Sequence, residues 1–161
     1  MKKNKVLFLT QAAMIAALYV VLTFVSNAFG LASGAIQIRI SEALTILPYF
    51  SPVAVPGLFI GCIISNLLTG CALLDVIFGS LATLLGAVGT RILRKWKWLA
   101  PLPPIVSNTV IVPFVLTYVY ALPGGIPYFM LTIGIGELIS CGIFGMILLS
   151  VLSKYRSNLF V

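Results

Sequence analysis

Long apolar runs broken by a few polar positions dominate the chain, and the places where the pattern changes are informative. The first run covers residues 6–29 and predicts a membrane-length helix. GLASGA at residues 30–35 then predicts a loop. Beyond it Ile36, Ile38 and Ile40 alternate with Gln37, Arg39 and Ser41, the period-2 pattern of an extended lead-in. Ser41 suits an N-cap, with Glu42 in the first helical turn where negative charge is favoured. Pro48 cuts the apolar run that follows, with Pro52 and Pro56 close behind, so a short second span is expected within residues 37–50. Further spans are expected over residues 53–68, from Leu73 to a basic cluster, over 103–122, and over 128–152. LPGGIP at residues 122–127 makes a turn before the last span. A short, proline-interrupted membrane segment that carries charge is the usual pointer to a membrane binding site.

Charge fixes the expected topology. Nine of the ten basic residues fall in three clusters: Lys2, Lys3 and Lys5; Arg91, Arg94, Lys95 and Lys97; Lys154 and Arg156. The positive-inside rule puts all three in the cytoplasm, so the crossings between successive clusters are even in number. With about 20 residues per span, four crossings fit before the second cluster and two after it. The expected fold is an all-α integral membrane protein, a compact bundle of six transmembrane helices with both termini cytoplasmic, forming one domain over residues 1–161. Composition agrees: 8% of residues are charged and the mean hydropathy is +1.18, whereas soluble domains carry roughly 25% charged residues. The N-terminal apolar stretch runs past the ~7–15 residues of a signal-peptide core, so it is expected as a retained helix of the cell membrane. The basic residues serve orientation, and nucleic acid is not an expected partner.

Small residues recur every four positions: Gly57, Gly61, Ser65 and Thr69 on the third span, and Gly79, Thr83 and Ala87 on the fourth. Such faces let helix backbones approach closely and are expected to pack within the chain. On the first span, Ala12 with Ala16 and Ala13 with Ala17 form two overlapping AxxxA pairs, a candidate docking face for another membrane subunit.

The chemistry rests on very few residues. The only acids are Glu42, Asp75 and Glu137, all in or beside predicted spans, where a carboxylate costs roughly 2.5–3.5 kcal/mol. Arg39 and Glu42, three apart, suit a helical ion pair. That leaves two acids that must be protonated, hydrogen-bonded, or facing a cationic or donor-rich ligand. Glu42, Asp75 and Asn66 fall near outer ends of spans. Glu137 is ten residues past Pro127, about 15 Å down a helix and near the midplane. Asn108, about 7.5 Å from the cytoplasmic end, is expected to lie too deep to join them unless its helix starts later. No histidine is present, the cysteines Cys62, Cys71 and Cys141 stand singly as small packing residues, and there is no GxxxxGK[ST] phosphate loop. Neither an enzyme nor a bound cofactor or metal is expected.

The stretches IQIRISEALTILPYFSPVAVPGLFIGCIISNLL and LLDVIFGSLATLLGA, with VSNTVIVPF and GIGELISCGIFG further on, carry a resemblance that extends from about Ala12 to Gly145. The chain resembles the queuosine-precursor family of substrate-binding (S) components of energy-coupling factor transporters. The resemblance implies a six-helix protein that captures a solute from outside. It implies docking through small residues of the first helix to a transmembrane coupling subunit bound to two ATPases, which supply the energy. It also implies a queuine precursor such as 7-aminomethyl-7-deazaguanine as the solute. One carboxylate would accept both donors of the guanine edge, a second would pair the amine, and Asn66 or Arg39 would donate to the carbonyl. Phe78 is a candidate for stacking on the ring, with Gln37 and Asn108 as further polar candidates. The residues also leave open another cationic or purine-like solute, or a self-sufficient channel or secondary transporter. For the topology, labelling of single introduced cysteines should find position 96 reachable only from the cytoplasm and positions 34 and 124 only from outside. Labelling of position 96 from outside contradicts the six-span arrangement.

Overall fold

The computed structural model of the chain describes residues 2–31 and 36–155, with side chains from Lys5 onward. The predicted loop at 30–35 and Arg156 therefore fall partly or wholly outside the described residues. Those described are entirely helical or irregular. They form α1 (Lys2–Ala28), a short 3₁₀ helix (Ile40–Tyr49), α2 (Ala54–Leu68), α3 (Leu73–Ile92), α4 (Leu102–Tyr118) and α5 (Ile126–Glu137). A π-helical segment (Leu138–Phe144) and α6 (Gly145–Lys154) follow. The last three run on as one rod, residues 126–154, which is the predicted final span. Among the described residues, four helices are long and apolar enough to cross a membrane, and α2 is a shorter apolar helix. Two 3₁₀ turns, Leu93–Lys95 and Lys97–Leu99, carry most of the second basic cluster.

Neighbours in sequence pack side by side: α1 on α2, α2 on α3, α3 on α4, α4 on α5. The short helix packs among these elements, touching α1, α2, α3, α6 and the π segment. It is buried from Ser41 to Pro48. Side chains three apart eclipse on a 3₁₀ helix, so it has three faces, and each must be covered. Leu44 and Leu47 pack with Tyr19, Ala54, Leu58, Cys62 and Ala87. Ile46 packs with Phe50, Ala100 and Leu149. The third face is polar: Glu42 and Thr45 turn toward Thr83 and Cys141. The outer surface keeps large apolar side chains such as Leu9 and Leu131 exposed, as lipid contact requires.

Two local expectations change. The lead-in ends earlier than its alternation suggests, with Arg39 the last extended residue and Ile40 the first helical one. Ser41 is consequently not a cap. It sits inside the helix and accepts a hydrogen bond from Thr23 Oγ1 at 3.0 Å. The helix is also 3₁₀ rather than α. Its ten residues reach about 20 Å instead of about 15 Å, which compensates for its shortness.

Close approaches hold the arrangement. A Cβ on Gly57 would sit 2.8 Å from the Ala12 carbonyl oxygen, and one on Gly61 3.0 Å from Ala16 Cα, so α1 and α2 meet backbone to backbone. A Cβ on Gly136 would overlap the carbonyl oxygen of Gln37, so the lead-in lies directly on α5. Gly136→Ala should therefore destabilise the protein by about 1–3 kcal/mol. Gly134→Ala, whose Cβ would meet only Thr109 side-chain atoms at 3.5 and 3.6 Å, should be tolerated. Thermal unfolding in detergent distinguishes them, and equal midpoints would contradict the Gly136 contact.

Candidate functional site

The lead-in, residues 36–39, is pinned on two sides. The Arg39 backbone N–H donates to Ser140 Oγ at 3.1 Å and the Ile40 N–H to Ser26 Oγ at 2.9 Å. This holds Gln37 and Arg39 against a polar cavity of about 290 Å³, near the lower end of the ~300–1,000 Å³ usual for small-molecule sites. Thr23, Ser26 and Asn27 of α1 line it, with Asn66, Thr69 and Cys71 at the end of α2, Asp75 in the first turn of α3, and Leu116, Tyr120 and Leu122. All come from one end of the bundle, opposite the end that carries Arg91, Arg94, Lys95, Lys97 and Lys154. The C-termini of α1, α2 and α4 reach this end with no basic residue in the last turn, so their partial negative charge is left available. The N-termini of α3 and α5 are also here, and α3 carries Asp75 in its first turn.

Deeper in, Gln37 and Arg39 also line a crevice of about 10 Å³ shared with Asn108, Val112, Ile133 and Glu137. Asn108 thus does reach the candidate residues: its Nδ2 lies 3.5 Å from Glu42 Oε2. The depth estimate put Glu42 at the start of a helix near the surface. The extended lead-in, at about 3.3 Å per residue, instead carries Glu42 down to the level of Asn108.

Glu42 is 2% exposed. It accepts the Tyr19 hydroxyl and, at 3.5 Å, the Thr83 hydroxyl on Oε1, and Asn108 on Oε2. The helical ion pair expected between Arg39 and Glu42 is not what satisfies it, because Arg39 lies in the extended lead-in rather than one turn away on the helix. Glu137, 6% exposed, accepts the Cys141 thiol at 3.1 Å, and that thiol also lies 3.4 Å from the Glu42 carbonyl oxygen. Glu42, Glu137 and Cys141 bring ligand-type atoms within 4.8 Å of one another. Those atoms are engaged with Tyr19, Thr83, Asn108 and each other, so the trio is a hydrogen-bonded core.

Asp75, 6% exposed, accepts the Tyr120 hydroxyl at 2.8 Å, and Tyr120 in turn accepts the Ala72 backbone N–H at 3.0 Å. Burial, reinforced by the Asp75 carboxylate, pushes the Tyr120 phenol up to about 12, so it remains a donor at physiological pH. Asn66 Nδ2 is 3.5 Å from Cys62 Sγ. Of the expected residues, Gln37, Arg39, Asn66 and Asp75 line the cavity, Glu137 and Asn108 line the crevice behind it, and Glu42 lies in the core beyond. Phe78 is elsewhere: it is 45% exposed and lines an apolar groove with Leu74, Val110, Phe114 and Tyr118 on the outer face of α3 and α4. Although only one turn past Asp75, it lies on the outer side of α3, facing lipid.

The AxxxA pairs separate. Ala12 and Ala16 are buried against Gly57 and Gly61, whereas Ala13 and Ala17 are exposed. The sequence reading missed Tyr19, Thr23, Ser26 and Asn27 of α1. Their spacing is a helical stripe of polar groups, so the signal was present. It also missed Tyr120, which precedes the turn at residues 122–127. The cysteines do more than fill space, since Cys62 and Cys141 are hydrogen-bond partners and Cys71 lines the cavity.

Membrane helices packed around a short charged helix, with a polar cavity at one end, define a multi-pass cell-membrane protein with a candidate small-molecule site. The family model described as QueT transporter matches residues 9–154, and the chain belongs to that family. It is 40% identical over 98 residues to the queuosine precursor transporter QueT of Lactococcus lactis subsp. cremoris. That alignment covers 60% of this chain and 57% of the relative, so the chain spans little more than half of that protein's length. No solved structure matches. The Glu42 network gives its own expectation. Tyr19→Phe removes one donor from a buried carboxylate and should destabilise the protein by about 1–3 kcal/mol, read as a lower unfolding temperature in detergent. An unchanged midpoint would mean that Glu42 does not depend on Tyr19.

Proposed function

We propose that the chain is the solute-binding membrane subunit of an energy-coupling factor importer, and that its solute is a queuosine precursor, 7-aminomethyl-7-deazaguanine or a close relative. The observation that carries this reading is the polar cavity of about 290 Å³ lined by Gln37, Arg39, Asn66 and Asp75 in a chain of the QueT family. The named relative is a queuosine precursor transporter, and the chemistry of the cavity suits such a molecule. Arg39 and Asn66 offer donors for the ring carbonyl. Asp75 offers a carboxylate for the amine at the end where three helix C-termini converge. Glu137, reached past Gln37 and Arg39, offers an acceptor for the guanine edge, with Asn108 beside it. Phe78 is not part of this proposal.

In this reading both termini and the basic clusters face the cytoplasm, and the cavity opens outward. The chain performs no catalysis and uses no cofactor. A transmembrane coupling subunit with two ATPases supplies the energy, docking on α1 through Ala13 and Ala17 rather than Ala12 and Ala16.

Titration of the deazapurine against purified protein tests the solute. Glu137→Gln replaces an acceptor by a donor at the edge and removes a charge-assisted bond worth ~1.5–3 kcal/mol, so affinity should fall about ten- to a hundredfold. Unchanged affinity in folded protein would remove Glu137 from the site. Docking is tested separately. Ala13→Trp or Ala17→Trp should abolish uptake while the isolated protein binds its solute as before, because bulk blocks close backbone approach by a partner. Uptake that survives both substitutions would exclude this face.

A further inference from the structure

Tyr120 stands at the mouth of the cavity, where it links the chain just after α4 to the start of α3. Its hydroxyl accepts from the backbone of Ala72, just before α3, and donates to Asp75 Oδ2 in the first turn of α3. The backbone that carries it is fixed. Tyr120 N–H donates to the Val115 carbonyl at 3.2 Å, and Leu122 N–H to that of Leu116 at 3.2 Å. Between them Ala121 has φ +47°, a left-handed conformation that a residue with a Cβ keeps only when its surroundings hold it. Tyr120 and Leu122 both line the cavity. The hydroxyl is thus delivered to Asp75 by a constrained turn.

The other Asp75 oxygen has a different outlook. Asp75 Oδ1 and Asn66 Nδ2 each lie 3.3 Å from the point a Cβ would occupy on Gly79, so an acceptor and a donor converge over a glycine that leaves room for both. With Oδ2 engaged by Tyr120, Oδ1 is the oxygen left for a partner in the cavity. A carboxylate held by one oxygen presents the other in a set direction, and a charge-assisted hydrogen bond depends on that direction.

We propose that Tyr120 is a positioning residue for the cationic end of the solute. It holds Oδ2 of Asp75 so that Oδ1 meets an amine, and it thereby sets the preference for an amine-bearing over a neutral deazapurine. This rests on the reading above that the cavity takes a deazapurine. Tyr120 acts through Asp75, and the ring itself is not required to touch the solute.

The test compares two probes, 7-aminomethyl-7-deazaguanine and its uncharged 7-cyano counterpart, titrated against the full-length protein as wild type, Tyr120→Phe, Asp75→Asn and the double variant. Tyr120→Phe keeps the ring and removes only the hydroxyl. It should weaken the amine compound roughly tenfold, the loss of one oriented charge-assisted bond, and the cyano compound by less than about twofold. In the Asp75→Asn background, adding Tyr120→Phe should change neither affinity further. Equal losses for both compounds would assign Tyr120 a packing role and overturn the proposal, as would an unchanged amine affinity. A full Tyr120→Phe effect without the Asp75 carboxylate would also overturn it. If wild-type protein binds neither probe, the deazapurine reading fails and this inference fails with it. Wild-type binding with no selective effect of Tyr120→Phe fails this inference alone.

Discussion

Glu42 sits almost fully enclosed within a membrane bundle, and the rest of the architecture is arranged so that it can. A carboxylate in hydrocarbon without partners costs several kcal/mol, so its neighbours are constrained in kind as well as in shape. Tyr19 comes from α1, Thr83 from α3 and Asn108 from α4, while Cys141 of the π segment reaches the carbonyl of the same residue. Four elements are thereby tied to one turn of the short helix. Removing a partner would strand a polar group, whereas swapping an apolar residue on the lipid face changes little. The polar core consequently fixes which helices stand next to which, in a solvent that supplies no hydrophobic drive between them.

The cavity follows from how the chain reaches that turn. To bring Glu42 so deep, the lead-in must descend extended along α5, which needs the bare backbone of Gly136 beneath Gln37 and the hydroxyls of Ser26 and Ser140 on its N–H groups. Extended backbone buried beside helices leaves space that a continuous helix would fill. Gln37 and Arg39 face this space, and the ends of α1, α2, α3 and α4, with the turn after α4, supply the rest of its wall. The π segment belongs to the same solution. Its wide turn, of a kind found often at functional sites, lies where Ser140 and Cys141 meet the lead-in and the short helix.

Much of this was legible in the residues. Runs of apolar residues and three basic clusters give the helices, and Pro48 with the alternation around Arg39 marks the irregular span. Four of the candidate residues, Gln37, Arg39, Asn66 and Asp75, do line one cavity. What was not legible depends on depth and facing. Asn108 looked too deep because Glu42 was placed near the outer end of its span, whereas Glu42 lies within 3.5 Å of Asn108. Phe78 was put near Asp75 by one-turn spacing, yet it lines an outer groove rather than the cavity. The paired alanines looked equivalent until Gly57 and Gly61 claimed Ala12 and Ala16. The stripe of Tyr19, Thr23, Ser26 and Asn27 was visible as helical periodicity but was overshadowed by the charged residues. Tyr120 had no local signal at all, since its hydrogen bond to Asp75 spans 45 residues.

The central claim is that this buried polar architecture serves one kind of guest. The most direct measurement is native mass spectrometry of the purified protein equilibrated with an equimolar mixture of guanine, adenine, 7-cyano-7-deazaguanine and 7-aminomethyl-7-deazaguanine. The account predicts that the protein retains the amine-bearing deazaguanine in preference to the other three. Retention of guanine or adenine at the same level, or of none of the four, would contradict it.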